Sequence, residues 1–158
     1  MNVILSTELV SRIEDRIQSI LANESAGNSH IREVVRRTGA LPLALDSGGG
    51  LSLAPNGDII GFFWDHSEID VEQDPRLVNM ALLQGSLKYP ELEEIVPPRP
   101  ADAAECPHCK GTGYPTELEG SGIENIVCYC GGIGWIPPGD DGGKLSLRTA
   151  ETPSGDIK

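Results

Sequence analysis

Four cysteines are the residues of this 158-residue chain best suited to chemistry, and they occur only as two close pairs, Cys106 with Cys109 and Cys128 with Cys130. Each pair runs straight into glycines. The segments read Cys106-Pro107-His108-Cys109-Lys110-Gly111-Thr112-Gly113 and Val127-Cys128-Tyr129-Cys130-Gly131-Gly132-Ile133-Gly134. Four thiolates on two tight knuckles about 18 residues apart suit tetrahedral coordination of one zinc ion. A knuckle turns its backbone amides toward the sulfurs, which asks for left-handed dihedrals or close backbone approach, and Gly111, Gly113, Gly132 and Gly134 supply these without a Cβ penalty.

Lining up Cys109 with Cys130 places Gly111 over Gly132 and Gly113 over Gly134, an internal repeat of about eight residues. In the second copy Val127 stands where the first has Cys106, so C-x-C replaces C-x-x-C and the second knuckle must be tighter. Three other uses of the thiols stay open. A disulfide framework needs an oxidising compartment, and the N-terminus shows no secretory pattern. A redox pair at Cys106 and Cys109 leaves the second pair and the glycines unexplained, and unligated thiols leave the repeat itself unexplained. The C-x-x-C-x-G-x-G pattern resembles the cysteine-rich domain of DnaJ proteins, in which paired repeats share one zinc. That resemblance implies zinc ligation by Cys106, Cys109, Cys128 and Cys130. With four sulfurs in place no coordination position stays open, so a structural ion is expected, with His108 at an exposed knuckle tip.

The elements that hold these knuckles follow from local signals. Ser6 caps an amphipathic stretch in which Leu9, Ile13, Ile17, Ile20 and Leu21 recur at helical spacing, predicting a helix over 7–22. A shorter helix over 30–38 should stop at Gly39. Leu51 to Ala54, the turn Pro55-Asn56-Gly57-Asp58 and Ile59 to Trp64 predict a β-hairpin over 51–64. Phe62, Phe63 and Trp64 give that hairpin either a core anchor or an exposed docking surface. Asp65 to Asp74 is expected to be a solvated acidic loop. Asp74-Pro75 opens a helix that should end near Gly85, and Tyr89 to Ile95 predicts one more short helical turn.

The expected organisation is an α+β domain over 1–96, a proline-rich linker over 97–104, a four-cysteine zinc module over 105–137, and a disordered tail over 138–158. Trp135 is the last residue expected to pack. The fold class is α+β, with a small antiparallel sheet packed by the N-terminal and central helices.

Composition narrows the function. A net charge of −12 repels phosphate, so nucleic acid is a poor ligand and a basic protein a compatible one. No apolar run approaches the roughly 18 to 20 residues of a membrane span, and a cytoplasmic protein is expected. The glycines at 48–50 precede a strand and lack a following lysine with serine or threonine, which excludes a phosphate loop. No nucleophile and base constellation presents itself among the three histidines, and Asp65 with His66 is the only candidate pair, so a binding protein is expected ahead of an enzyme.

Residues 41–64, through the glycine cluster at 48–50 and the Leu51 to Phe62 segment, resemble the SUKH superfamily of bacterial immunity proteins. This implies a non-enzymatic domain that binds and neutralises a toxin, often a basic nuclease, through its sheet. The alternatives are a DnaJ-like module serving as chaperone or adaptor for extended peptides, and an enzyme of another type or a dithiol redox protein. The oligomeric state is not encoded in any motif.

Overall fold

The computed structural model describes residues 2–115, 127–128 and 130–136. Helix α1 spans Thr7–Ala22, and the Ser6 hydroxyl accepts from the Leu9 amide at 3.1 Å to satisfy one orphan donor of its first turn. Its buried stripe is Leu9, Ile13 and Ile17, the face the apolar spacing predicts. Helix α2, Ser29–Thr38, ends at Gly39 with φ 68°, where a residue with a Cβ would be strained.

Four strands follow, β1 at Leu41–Leu45, β2 at Gly49–Leu53, β3 at Ile59–Phe63 and β4 at Ile69–Val71. They form an antiparallel meander in the order β1-β2-β3-β4. The hairpin expected over 51–64 is thus the centre of a larger sheet. Strand β1 reads in sequence as a mere lead-in, because its apolar residues are continuous and it contains Pro42. An edge strand tolerates proline, and the register slips between Pro42 and Ala44. Strand β4 corrects the expectation of an acidic loop: Ile69, Asp70 and Val71 pair with Phe62, Gly61 and Ile60.

Helix α3 runs over Pro75–Lys88, with the Asp74 carboxylate accepting from the Arg76 amide. It does not stop at Gly85. A Cβ there would stand 2.5 Å from Leu43 Cδ2 and 3.2 Å from Leu92 Cδ1, so that glycine lets the helix approach the sheet and the short 3-10 helix Pro90–Ile95. The core lies in this contact. Leu41, Leu43, Leu51, Leu53 and Ile59 of the sheet pack with Leu9, Ile13 and Ile17 of α1, Val78, Ala81 and Leu82 of α3, and Leu92. Burying each such side chain fully contributes about 1.5–3 kcal/mol. The other parity of β3 carries Ile60 and Phe62. Arg37 of α2 lies over the Phe62 ring at 5.6 Å, and Trp64 meets that ring edge-on at 5.1 Å.

A bidentate ion pair, Arg16 to Glu91 at 2.7 and 3.0 Å, fastens α1 to the 3-10 helix. Beyond it the prolines at 97–100 lead to β5, Ala104–Glu105, which pairs with β6, Trp135–Ile136. Trp135 is half-buried and Ile136 buried. The expected tail over 138–158, and Tyr129 with residues 116–126 of the expected zinc module, lie outside the described residues. No helix among the described residues is long and apolar enough to cross a membrane.

Candidate metal centre

The first knuckle leaves β5 at Cys106. Lys110 donates its amide to the Cys106 carbonyl at 2.8 Å, four residues back, and adopts φ 52°. Gly131 is its counterpart in the second knuckle, with φ 85°, and donates to Cys128 at 2.9 Å, only three residues back. The missing residue of the C-x-C pair is therefore absorbed in the turn. Cys128 takes the place of Cys106, and the second turn is tighter by one residue.

The two knuckles interlock as a pseudo-twofold pair. The Cys106 amide donates to Gly134 O at 3.0 Å, and the Cys128 amide donates to Gly113 O at 2.9 Å. A Cβ on Gly113 would stand 2.8 Å from Gly132 O, and one on Gly134 would stand 2.8 Å from Gly111 O. Both glycines also hold φ near +85° (85° and 86°). The repeat read from sequence is thus a repeat of backbone shape.

This interlock gathers the sulfurs. The four Sγ atoms lie within 4.8 Å of one another, with Cys106 and Cys128 at 3.6 Å and Cys109 and Cys130 at 3.9 Å. Four-coordinate zinc with Zn–S near 2.3 Å needs tetrahedron edges of about 3.8 Å. A disulfide needs about 2.05 Å. The cysteines are unbridged, and each short pair spans the two knuckles. The donor set therefore fits a tetrahedral ion, and the four cysteines can hold a metal. Cys106, Cys109 and Cys128 are buried and Cys130 is half-buried.

Electrostatically the cluster favours losing a proton at one sulfur. Hydrogen bonds from the Cys109 and Cys128 thiols push Cys130 well below the ordinary thiol range, and the Gly134 amide adds a donor at 3.3 Å. Cys128 is pushed up, first by its hydrogen bonding with Cys109 and then with Cys130. A cation among the sulfurs replaces those shared protons. His108 is half-buried beside the ligands, and the four sulfurs complete a tetrahedron without it.

The knuckles rest on α3, a contact that the sequence reading did not foresee. Gly132 lies against the Arg76 carbonyl and the Met80 amide, Gly113 against Met80 Cγ, and Gly134 against Leu83 Cδ2. Gln84 Nε2 donates to Thr112 O at 3.4 Å, and Tyr114 and Val127 pack on the main core. A signal was present. Met80 and Leu83 stand on the side of α3 opposite Val78, Ala81 and Gly85, and a helix apolar on both sides is covered on both.

The remaining candidates gather no site. Phe62 is buried at 2% exposure, Phe63 is 43% exposed and Trp64 is half-buried, so the aromatic trio is divided between interior and surface. Asp65 and His66 are exposed on a turn, with Nε2 3.9 Å from Oδ1. The Asp46 carboxylate accepts from the Gly48 and Gly49 amides at 2.9 and 2.8 Å, which occupies the donors a phosphate would need. Among the described residues the four cysteines are the sole cluster of three or more potential metal ligands. No protein-family model matches this chain, and searches of curated proteins and of solved structures returned no significant match.

Proposed function

We propose that this chain is a non-enzymatic protein-binding protein whose C-terminal knuckles are held by one structural zinc ion. The observation that carries the reading is the closed set of four sulfurs within 4.8 Å. Soft thiolate donors in a tetrahedral set favour zinc, and four of them leave no position for a catalytic water. When bound, the ion would fix both knuckles at once, since each short sulfur pair spans them. Cys106, Cys109, Cys128 and Cys130 are its ligands in this reading.

The partner is a basic protein, in keeping with the net charge of −12. The resemblance of residues 41–64 to bacterial immunity proteins supports a toxin, such as a basic nuclease, as that partner. The test is elemental analysis of protein purified under reducing conditions, paired with titration of complex formation against salt. One zinc per chain and an affinity that falls with ionic strength support the reading. A metal-free protein with turnover sensitive to Cys106 or Cys109 would replace it with a dithiol enzyme.

A further inference from the structure

We propose that the outer edge of β4 is a docking site for an extended segment of a partner protein in which aliphatic residues alternate with lysine or arginine. The inference rests on the protein-binding reading and deepens it by locating the contact. Among the described residues strand β4 pairs on one side only, with β3. Glu72 donates its amide to Ile59 O at 2.7 Å. In an antiparallel ladder that sets the parity, so Asp70 also bonds toward β3, while Ile69 and Val71 turn their amides and carbonyls outward. Among the described residues this edge has no proline, lysine or bulge; its length of three residues and its carboxylates are the devices that limit strand addition, and the carboxylates select against an acidic strand.

Its two faces differ in chemistry. On one, Ile69 and Val71 are 42% and 39% exposed beside their register partners Phe62 and Ile60, which are 2% and 9% exposed. An apolar strip thus runs from the interior to the open edge. On the other face Glu68, Asp70 and Glu72 alternate with them, Glu68 and Asp70 being exposed and the Glu72 carboxylate accepting from the Gln73 and Asp74 amides at 3.1 and 3.0 Å. A groove of about 430 Å³ lies beside Asp70, with Gly49, Gly61, Phe63, Gln73 and Leu77 in its wall and, among the described residues, no lysine or arginine. Nearby cations are engaged elsewhere. Arg37 donates to the Phe63 and His66 carbonyls, and Arg76 pairs with Asp74 at 3.1 Å.

A strand added at this edge places every second side chain beside Ile69 and Val71 and the others beside the carboxylates. Main-chain bonds supply affinity and the alternation supplies selectivity. A second copy of the chain is disfavoured, because β4 against β4 sets carboxylates opposite carboxylates. Within the chain, Lys144-Leu145-Ser146-Leu147-Arg148 has the same alternation, so the test must separate that segment from a partner.

The experiment titrates full-length 15N-labelled protein with a six-residue capped peptide alternating valine and lysine, and with one alternating valine and glutamate. The expected result is saturable binding of the lysine peptide alone, with the largest amide shifts at 69–71 and 61–63. Val71→Pro removes only an outward donor and should weaken binding at least tenfold. Asp70→Lys should also lose the lysine peptide and gain the glutamate peptide. Unchanged affinity in both variants, or shifts confined to other surfaces, would overturn the edge assignment while leaving the zinc-stabilised protein-binding reading intact. Binding that appears only after Lys144→Glu with Arg148→Glu would assign the edge to the chain's own residues and overturn the partner.

Discussion

Gly134 is packed on the carbonyl oxygen of Gly111 so closely that a Cβ there would stand 2.8 Å away, and Gly113 repeats the contact on Gly132 at the same distance. Each knuckle is the other's packing surface. Gly134→Ala should therefore cost both left-handed strain and a backbone clash, on the order of 2–4 kcal/mol, and Gly113→Ala a similar amount. Gly27→Ala, where a Cβ meets nothing within 4 Å, should change stability by less than about 1 kcal/mol. Thermal unfolding of the three variants checks this. Equal melting temperatures would mean that the knuckles do not interlock.

The Arg16 and Glu91 pair gives stability a defined pH dependence. The Arg16 hydrogen bonds hold the Glu91 carboxyl below its ordinary 4.5, so the unfolded chain binds that proton more readily than the folded one. The contribution is complete above about pH 5 and is lost as pH falls through the lowered folded value. Arg16→Ala should cost about 1–2 kcal/mol at pH 7, a modest figure because Arg16 is 42% exposed. The difference from wild type should shrink on acidification. Urea unfolding of both proteins at pH 7 and pH 3 measures it, and a difference independent of pH would assign the whole effect to packing of Arg16 on Tyr89.

Phe62 and Phe63 are neighbours in sequence with opposite roles. Phe62→Ala should destabilise by about 3–5 kcal/mol, since it empties a buried site under Arg37 and Trp64. Phe63→Ala should cost less than about 1 kcal/mol. Denaturant unfolding separates them, and comparable losses would contradict the assignment of faces.

Ligand number is testable without a partner. His108→Ala should retain one zinc per chain, because four sulfurs complete the tetrahedron. Cys130→Ser should lose it and release the remaining thiols to a thiol reagent. Loss of metal in His108→Ala, measured by elemental analysis, would place the imidazole in the coordination sphere.

Elements carried by local signals were legible in the sequence. Ser6 with its apolar spacing marked α1, Gly39 marked the end of α2, and Pro55-Asn56-Gly57-Asp58 marked the turn between β2 and β3. The four cysteines and their glycines were legible for the same reason: the pattern is confined to eight residues. What failed was non-local. Strand β4 hides its alternation behind carboxylates, β1 contains a proline that only an edge position excuses, and Gly85 resembles a helix stop until Leu43 and Leu92 are seen against it. The seat of the knuckles on α3 depends on Met80 and Leu83 meeting glycines about thirty to fifty residues away in sequence, a pairing that neither segment signals alone.

The most direct test of the zinc centre is metal and thiol analysis of protein purified under reducing conditions, followed by chelation and thermal unfolding. The expected result is one zinc per chain, four thiols protected until chelation, and a melting temperature lowered by about 10 °C when the ion is removed, roughly 3 kcal/mol for a chain of this size. A metal-free protein with four freely reactive thiols and an unchanged melting temperature would contradict it.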